Sequence, residues 1–297
     1  MSKINFGQDL EGLVYNGQNF LASRNYGLIA VADNTICALG ENGSVYPLIK
    51  PTGTINCICP GRNSSPELVV GIENQVFLFE PMHIADFPNG MLQIGVRDSK
   101  VTSMYMTQPL LVEAGDHPGI FVTNLSERGE KKPLKVNEED ALPGATRLLR
   151  YGDDILGLAP KSHHRYKMSL NNGKVRLDKA ENWIDMICHN NDIYVAEKRK
   201  PHEMWDPQVF PCMAIIRTYG GGPEIARRPS GGNAILHSTR PFDGTLFDAV
   251  GQCVYSTLDD PDGKKPLWNL GHKITSMTSL PLEHWEAFVE TAGRAAK

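Results

Sequence analysis

Apolar residues along this chain come in short runs broken by Gly, Asn, Asp and Pro. Leu28-Ile29-Ala30-Val31-Ala32 and Thr35-Ile36-Cys37-Ala38-Leu39, for example, are separated only by Asp33-Asn34. Runs this short, bounded by residues that tolerate tight turns, predict β-strands joined as hairpins. Positions of both parities within the runs are largely apolar. That is the pattern of sheets covered on two faces, not of sheets with one face in water.

One unit of this kind recurs. Val101-Thr102-Ser103-Met104-Tyr105-Met106, followed by Pro109-Leu110-Leu111-Val112-Glu113-Ala114-Gly115, returns near the C-terminus. There Ile274-Thr275-Ser276-Met277-Thr278-Ser279 precedes Glu286-Ala287-Phe288-Val289-Glu290-Thr291-Ala292-Gly293. Comparable starts at Ile55, Ala145, Ile184 and Ala234 put successive units 39 to 50 residues apart. This fits a four-stranded repeat of about 40–45 residues, with one long loop in the widest interval. An earlier unit built from Phe20, Leu28, Thr35 and Val45 brings the number of starts to seven. The last unit ends at Lys297 after its second strand, while Ile4-Asn5-Phe6 and Leu13-Val14-Tyr15 are strands without a sheet. Residues 1–17 are therefore expected to complete the last unit and close a ring, which removes the free sheet edge.

In VTSMYMTQPLLVEAGDHPGIFV (101–122) and INCICPGRNSSPELVVGIENQVFLFE (55–80) the strand pattern resembles the WD40-like β-propellers. The resemblance spans nearly the whole chain but is one of architecture. Trp205-Asp206 falls in a loop instead of ending a third strand, and Gly271-His272 has no such dipeptide behind it. The resemblance implies an all-β fold in one domain, 1–297: a seven-bladed β-propeller of four-stranded antiparallel blades, closed by N- and C-terminal strands. Six blades with an N-terminal appendage is the alternative. It also implies a rigid scaffold that presents loops, usually to other proteins, although propellers host enzymes and glycan sites as well.

Composition narrows the partners. With 41% hydrophobic and 22% charged residues the chain can build a substantial core. A formal net charge of −4 gives no global attraction to nucleic acid or to an anionic membrane, so any basic site is local. No segment approaches the roughly 20 apolar residues that span a bilayer, and the N-terminus has no apolar run of leader length. A soluble, cytoplasmic protein is expected. The six cysteines lie mostly inside strand-like runs, which predicts buried free thiols and no disulfide framework.

The largest departure from the repeat is the loop 197–211, placed between the second and third strands of its blade. It carries Lys198, Arg199 and Lys200 with Met204, Trp205 and Phe210, and Arg227 and Arg228 leave the same blade nearby. Lys161, His163, His164 and Arg165 are expected on the same face from the preceding blade. Basic groups beside aromatic anchors compose many interaction hot spots, so these residues predict a partner-binding surface for an acidic or phosphorylated protein segment. His117, His163, His164 and His202 with Asp116 and Asp206 follow no ligand spacing, so neither metal nor cofactor is expected. No hydrolase elbow, zinc-protease helix or kinase motif set is present. The predicted innermost strands begin at apolar Ile55, Val101, Ala145, Ile184, Ala234 and Ile274, with Asp185, His237 and Lys273 as exceptions. This favours a non-enzymatic interaction scaffold within a larger complex over the alternative, an enzyme or lectin-like binder using the central channel.

Overall fold

The computed structural model describes residues 14–15, 18–19, 26–40, 43–62, 64–84, 91–107, 109–116, 119–125, 130–133, 145–169, 174–199, 213–229, 234–239 and 244–295. Six four-stranded antiparallel sheets form the ring of a β-propeller. Blade I joins Ile274–Pro281 to Tyr26–Ala32, Thr35–Leu39 and Val45–Ile49. Blade II runs Ile55–Pro60, Leu68–Ile72, Gln75–Phe79 and Leu92–Val96. Blade III runs Val101–Thr107, Leu110–Gly115, Ile120–Asn124 and Glu130–Pro133. Blade IV runs Arg147–Tyr151, Asp154–Ala159, His164–Ser169 and Val175–Lys179. Blade V runs Trp183–His189, Asp192–Arg199, Met213–Thr218 and Glu224–Pro229. Blade VI runs Ile235–Ser238, Leu246–Val250, Cys253–Ser256 and Trp268–Asn269. The first strand of each blade touches the first strands of both neighbours, so these six line the axis and the cycle is closed.

The count of seven blades is corrected to six. The unit that opens at Phe20 and the unit that opens at Ile274 are one blade, whose first strand comes from the C-terminal end of the sequence and whose other three come from the N-terminal end. Ile274 pairs with Ala32 and Pro281 with Tyr26 across that joint. The segment 286–293, expected as a second strand, lies in helix α1 (Leu282–Ala295). Its apolar residues Leu282, Trp285, Phe288, Val289 and Ala292 recur with a helical period, which outweighs its likeness to Leu111–Gly115. Among the described residues Val14–Tyr15 pairs with Gln18–Asn19 alone, in a two-stranded sheet separate from the six four-stranded ones. Ile4–Phe6 lies outside the described residues.

The core is distributed over the joints between blades. One apolar cluster joins blades I and II and takes in Trp285, Phe288 and Val289 of the helix, while another joins blades VI and I through Leu28, Phe247, Trp268 and Met277. Further clusters lie between II and III, III and IV, IV and V, and V and VI. Helix α1 packs across the start of Tyr26–Ala32 and against the 3-10 turn Pro81–Ile84. Trp285 donates Nε1–H to the Leu28 carbonyl at 3.1 Å, and a Cβ on Gly27 would stand 2.1 Å from Trp285 Cγ. Burying an aromatic side chain such as Phe288 contributes about 1.5–3 kcal/mol, so the helix strengthens the joint between blades I and II beside the closing strand pair.

Turns tie the blades in sequence. Asp33 and Asn34 both adopt positive φ, as the two-residue hairpin between Ala32 and Thr35 requires. Asn34 then donates to the Pro51 and Gly53 carbonyls and accepts the Ile55 N–H at 2.7 Å, so this turn fixes the entry into blade II.

Candidate functional site

Four of the six axial strands share a local device. In blades I, II, III and V the register slips near the start of the strand, giving a bulge at Thr275, Asn56, Thr102 and Ile184. The side chain just after the bulge can then reach the next blade. Ser276 Oγ accepts the Ile58 N–H at 3.3 Å, Ser103 Oγ accepts the Leu148 N–H at 2.8 Å, and Asp185 Oδ2 accepts the Leu236 N–H at 2.7 Å. Each bond satisfies a backbone donor that would otherwise be stranded at the axis.

The chemistry of the wall is not symmetric. The axial strands of blades I, II and III contain no Arg, Lys, Asp, Glu or His. Those of blades IV, V and VI carry Arg147, Arg150, Asp185, His189 and His237. Arg147 reaches from blade IV across blade V: Nε donates to Asp185 Oδ1 at 2.7 Å, while Nη2 donates to Asp185 Oδ2 and to the Leu236 carbonyl of blade VI. Asp185 Oδ1 also accepts the Met186 N–H at 2.9 Å. His237, the next residue after Leu236, is only 8% exposed, and its Nε2 has no partner among the described residues. Burial, and then the nearby Arg147 charge, push its pKa down to about 3, so the ring is neutral. Buried His189 has Nδ1 2.9 Å from Ser238 Oγ, and burial lowers its pKa too.

A second assembly lies where blades IV and V meet, on the face that carries the loop 200–212. The turn Pro160–Ser162 ends in His163, whose carbonyl accepts the Ala180 N–H at 2.9 Å; two residues on, the Asn182 carbonyl accepts the Lys198 N–H at 2.7 Å. This row of bonds sets Lys161, Lys179 and Lys198 along one rim. Beneath it the Arg165 guanidinium carbon lies 5.3 Å from the Trp183 ring centre and 4.2 Å from that of Tyr219, contacts worth about 0.5–2 kcal/mol each. Arg165 and Arg176 share the Asp178 carboxylate, both at 3.2 Å. Lys161 is 89% exposed at its side chain and Tyr219 is 45% exposed.

The predicted partner-binding residues are placed unequally. Lys198 is partly buried at the end of its strand, and Arg199 pairs with Met213. Lys200, Met204, Trp205 and Phe210 lie outside the described residues. Arg227 is exposed on the outermost strand of blade V, where its Nε donates to Glu224 at 2.6 Å. Arg228 does not belong to any accessible surface, because it is 0% exposed. Its Nε and Nη2 donate to Asp248 of blade VI at 2.6 and 2.7 Å, and Thr257 Oγ1 caps the same carboxylate at 2.8 Å. An equivalent lock joins blades II and III, where Arg97 grips buried Glu113 and Thr123.

Sequence reasoning missed both locks, together with Arg147 and the Trp183–Arg165–Tyr219 stack. A lone carboxylate inside an otherwise apolar strand, Glu113 in LLVEAG and Asp248 in LFDAV, was the available signal, since a buried charge demands a partner. Among the described residues no group of three or more His, Cys, Asp or Glu side chains is placed to hold a metal. His117, His202 and Asp206 lie outside them. Cys37, Cys57 and Cys59 are buried free thiols, Cys188 and Cys253 are partly buried free thiols, and burial raises the Cys37 pKa to about 11.

No family model matches the chain, and no curated protein is significantly similar to it in sequence. A chain in the crystal structure of a nidogen/laminin complex superposes with a TM-score of 0.60 at 7% identity, covering 86% of this chain and 98% of that one. At that identity the likeness is one of propeller fold alone. A computationally designed protein, Ika8, matches with a TM-score of 0.46 and 12% identity over 84% of this chain and 76% of its own. No helix among the described residues is long and apolar enough to cross a membrane.

Proposed function

We propose that this propeller is a non-enzymatic binding scaffold, a subunit or adaptor of a larger complex, that engages an acidic protein segment on the rim between blades IV and V. The observation that carries this reading is the row of backbone bonds linking His163 to Ala180 and Asn182 to Lys198. It ties together the main chain of two blades that carries Lys161, Lys179 and Lys198, next to an aromatic and guanidinium stack. Cations carried side by side on a fixed backbone favour recognition of carboxylates or phosphates. Trp205 and Phe210, which follow the strand ending at Arg199 in sequence, are the anchors in this reading. The fold supports it too, because closed propellers present loops from a rigid frame.

The test compares wild type with a Lys161→Glu/Lys179→Glu/Lys198→Glu variant, Arg165 and Arg228 being left intact. Binding of a fluorescent Asp/Glu-rich peptide is followed by anisotropy at two salt concentrations, alongside affinity capture from lysate. The scaffold reading expects salt-sensitive binding by wild type and at least tenfold weaker binding by the variant. Equal binding by both chains removes this rim as the site.

A further inference from the structure

We infer that the axial wall of blades IV to VI is a binding site for a small carboxylate, held by Arg147 and His237. Asp185 has spent both oxygens: Oδ1 accepts from Arg147 and Met186, and Oδ2 accepts from Arg147 and Leu236. Arg147 offers five N–H donors, of which three are engaged by Asp185 and the Leu236 carbonyl. Its side chain is 18% exposed, so it is not sealed inside the wall. His237 is nine-tenths buried, and its Nε2 has no partner among the described residues. What remains open among these three side chains is donor capacity on Arg147 and the ring nitrogen of His237.

An occupant that accepts hydrogen bonds at two oxygens completes the set. A carboxylate does so with one oxygen toward the guanidinium and the other toward His237 Nε2–H, the imidazole standing in its neutral tautomer with hydrogen on Nε2. Burial first, and the Arg147 charge second, hold the His237 ring neutral, and that nearby positive charge is the part of its environment that favours an anion. A neutral imidazole would donate one bond without adding a second charge to the wall.

The site is not a requirement of the fold. Blades I and III make the same inter-blade backbone bond with Ser276 and Ser103 and need no charge to do so. An Arg–Asp pair that also binds the Leu236 backbone of a third blade, beside a histidine Nε2 with no partner among the described residues, is therefore additional to what closes the ring. The site is independent of the rim proposed above, and its failure leaves that reading untouched.

The imidazole nitrogens of uniformly 15N-labelled full-length protein report on occupancy by NMR. The protein is titrated with sodium acetate at constant ionic strength, with sodium chloride and methylammonium chloride as controls. A saturable shift of the His237 resonances with acetate alone, weakened at least tenfold in Arg147→Lys, is the expected result. His237→Gln identifies the resonance and serves if the arginine variant is poorly folded, since it should also lose the acetate response seen at neighbouring Ser238 and Leu236 amides. No acetate-dependent shift, or an equal response to chloride, overturns the proposal and leaves the nitrogen to an ordered water.

Discussion

Around the ring axis, blades I and III in one half and blade V in the other make the same connection to the next blade with different chemistry. In the first half, hydroxyls of Ser276 and Ser103 catch the N–H of the following blade, and no charged side chain stands on the axial strands. In the second half Asp185 catches the Leu236 N–H and brings Arg147 with it. A hydroxyl that accepts one backbone bond costs little to bury, whereas a carboxylate must be neutralised and have its lone pairs filled. The fold is thus satisfied by the cheaper solution at two of its joints. Where it uses the expensive one, the surplus donors are available for another purpose.

The joints at the outer strands offer a sharper version of the same contrast, and the largest expected effect is there. Arg228→Met leaves Asp248 fully buried with only Thr257 as a partner. A loss of about 3–5 kcal/mol in urea unfolding is expected, because removing one member strands the other charge. Arg228→Met/Asp248→Leu, which makes the V–VI joint apolar like that between I and II, should recover most of that loss. If the single variant costs less than about 1 kcal/mol, the lock is not holding the joint.

Acid distinguishes the two halves of the wall next. The His237 pKa lies near 3 in the fold against an ordinary 6.5, so below pH 6.5 the unfolded chain binds a proton that the folded chain does not. Stability is then complete above pH 6.5 and falls as pH drops toward 3, with a slope of up to about 1.4 kcal/mol per pH unit from this group. His189, whose pKa is also lowered by burial, contributes in the same direction. Urea midpoints at pH 7.5, 6 and 5 measure this, and His237→Gln should flatten the curve. An unchanged slope in that variant would place the acid sensitivity elsewhere.

The smallest effect belongs to the neutral half. Ser103→Ala removes one acceptor from the Leu148 N–H and should cost about 1 kcal/mol, the usual size for a single neutral hydrogen bond. A cost as large as that of Arg228→Met would erase the distinction between the halves.

Much of this architecture was legible in the residues. The spacing of Ile55, Val101, Ala145, Ile184, Ala234 and Ile274 marked the blades, and Asp33-Asn34 marked its hairpin. Asp185 and His237 stood out as polar exceptions on axial strands. The blade count went astray because a repeat cut by the chain termini shows two partial starts for one sheet. Glu286-Ala287-Phe288-Val289 imitates a strand over four residues, and only the longer spacing of Leu282, Trp285, Phe288 and Ala292 separates it from one. Arg228 was misplaced for a different reason. Its carboxylate lies on the next blade, and a pairing across 20 residues leaves no local signature.

The most direct measurement converts the ionic wall into the neutral one. Arg147→Leu/Asp185→Ser gives blade V the hydroxyl that blades I and III already use. Urea unfolding and the acetate titration of His237 are then followed on the same sample. The account expects stability within about 1–2 kcal/mol of wild type, since replacing a buried ion pair is often close to neutral. It also expects the acetate response to vanish. A folded variant that still responds to acetate, or a loss of more than about 3 kcal/mol, would contradict the claim that this half of the wall is built for a ligand and not for the ring.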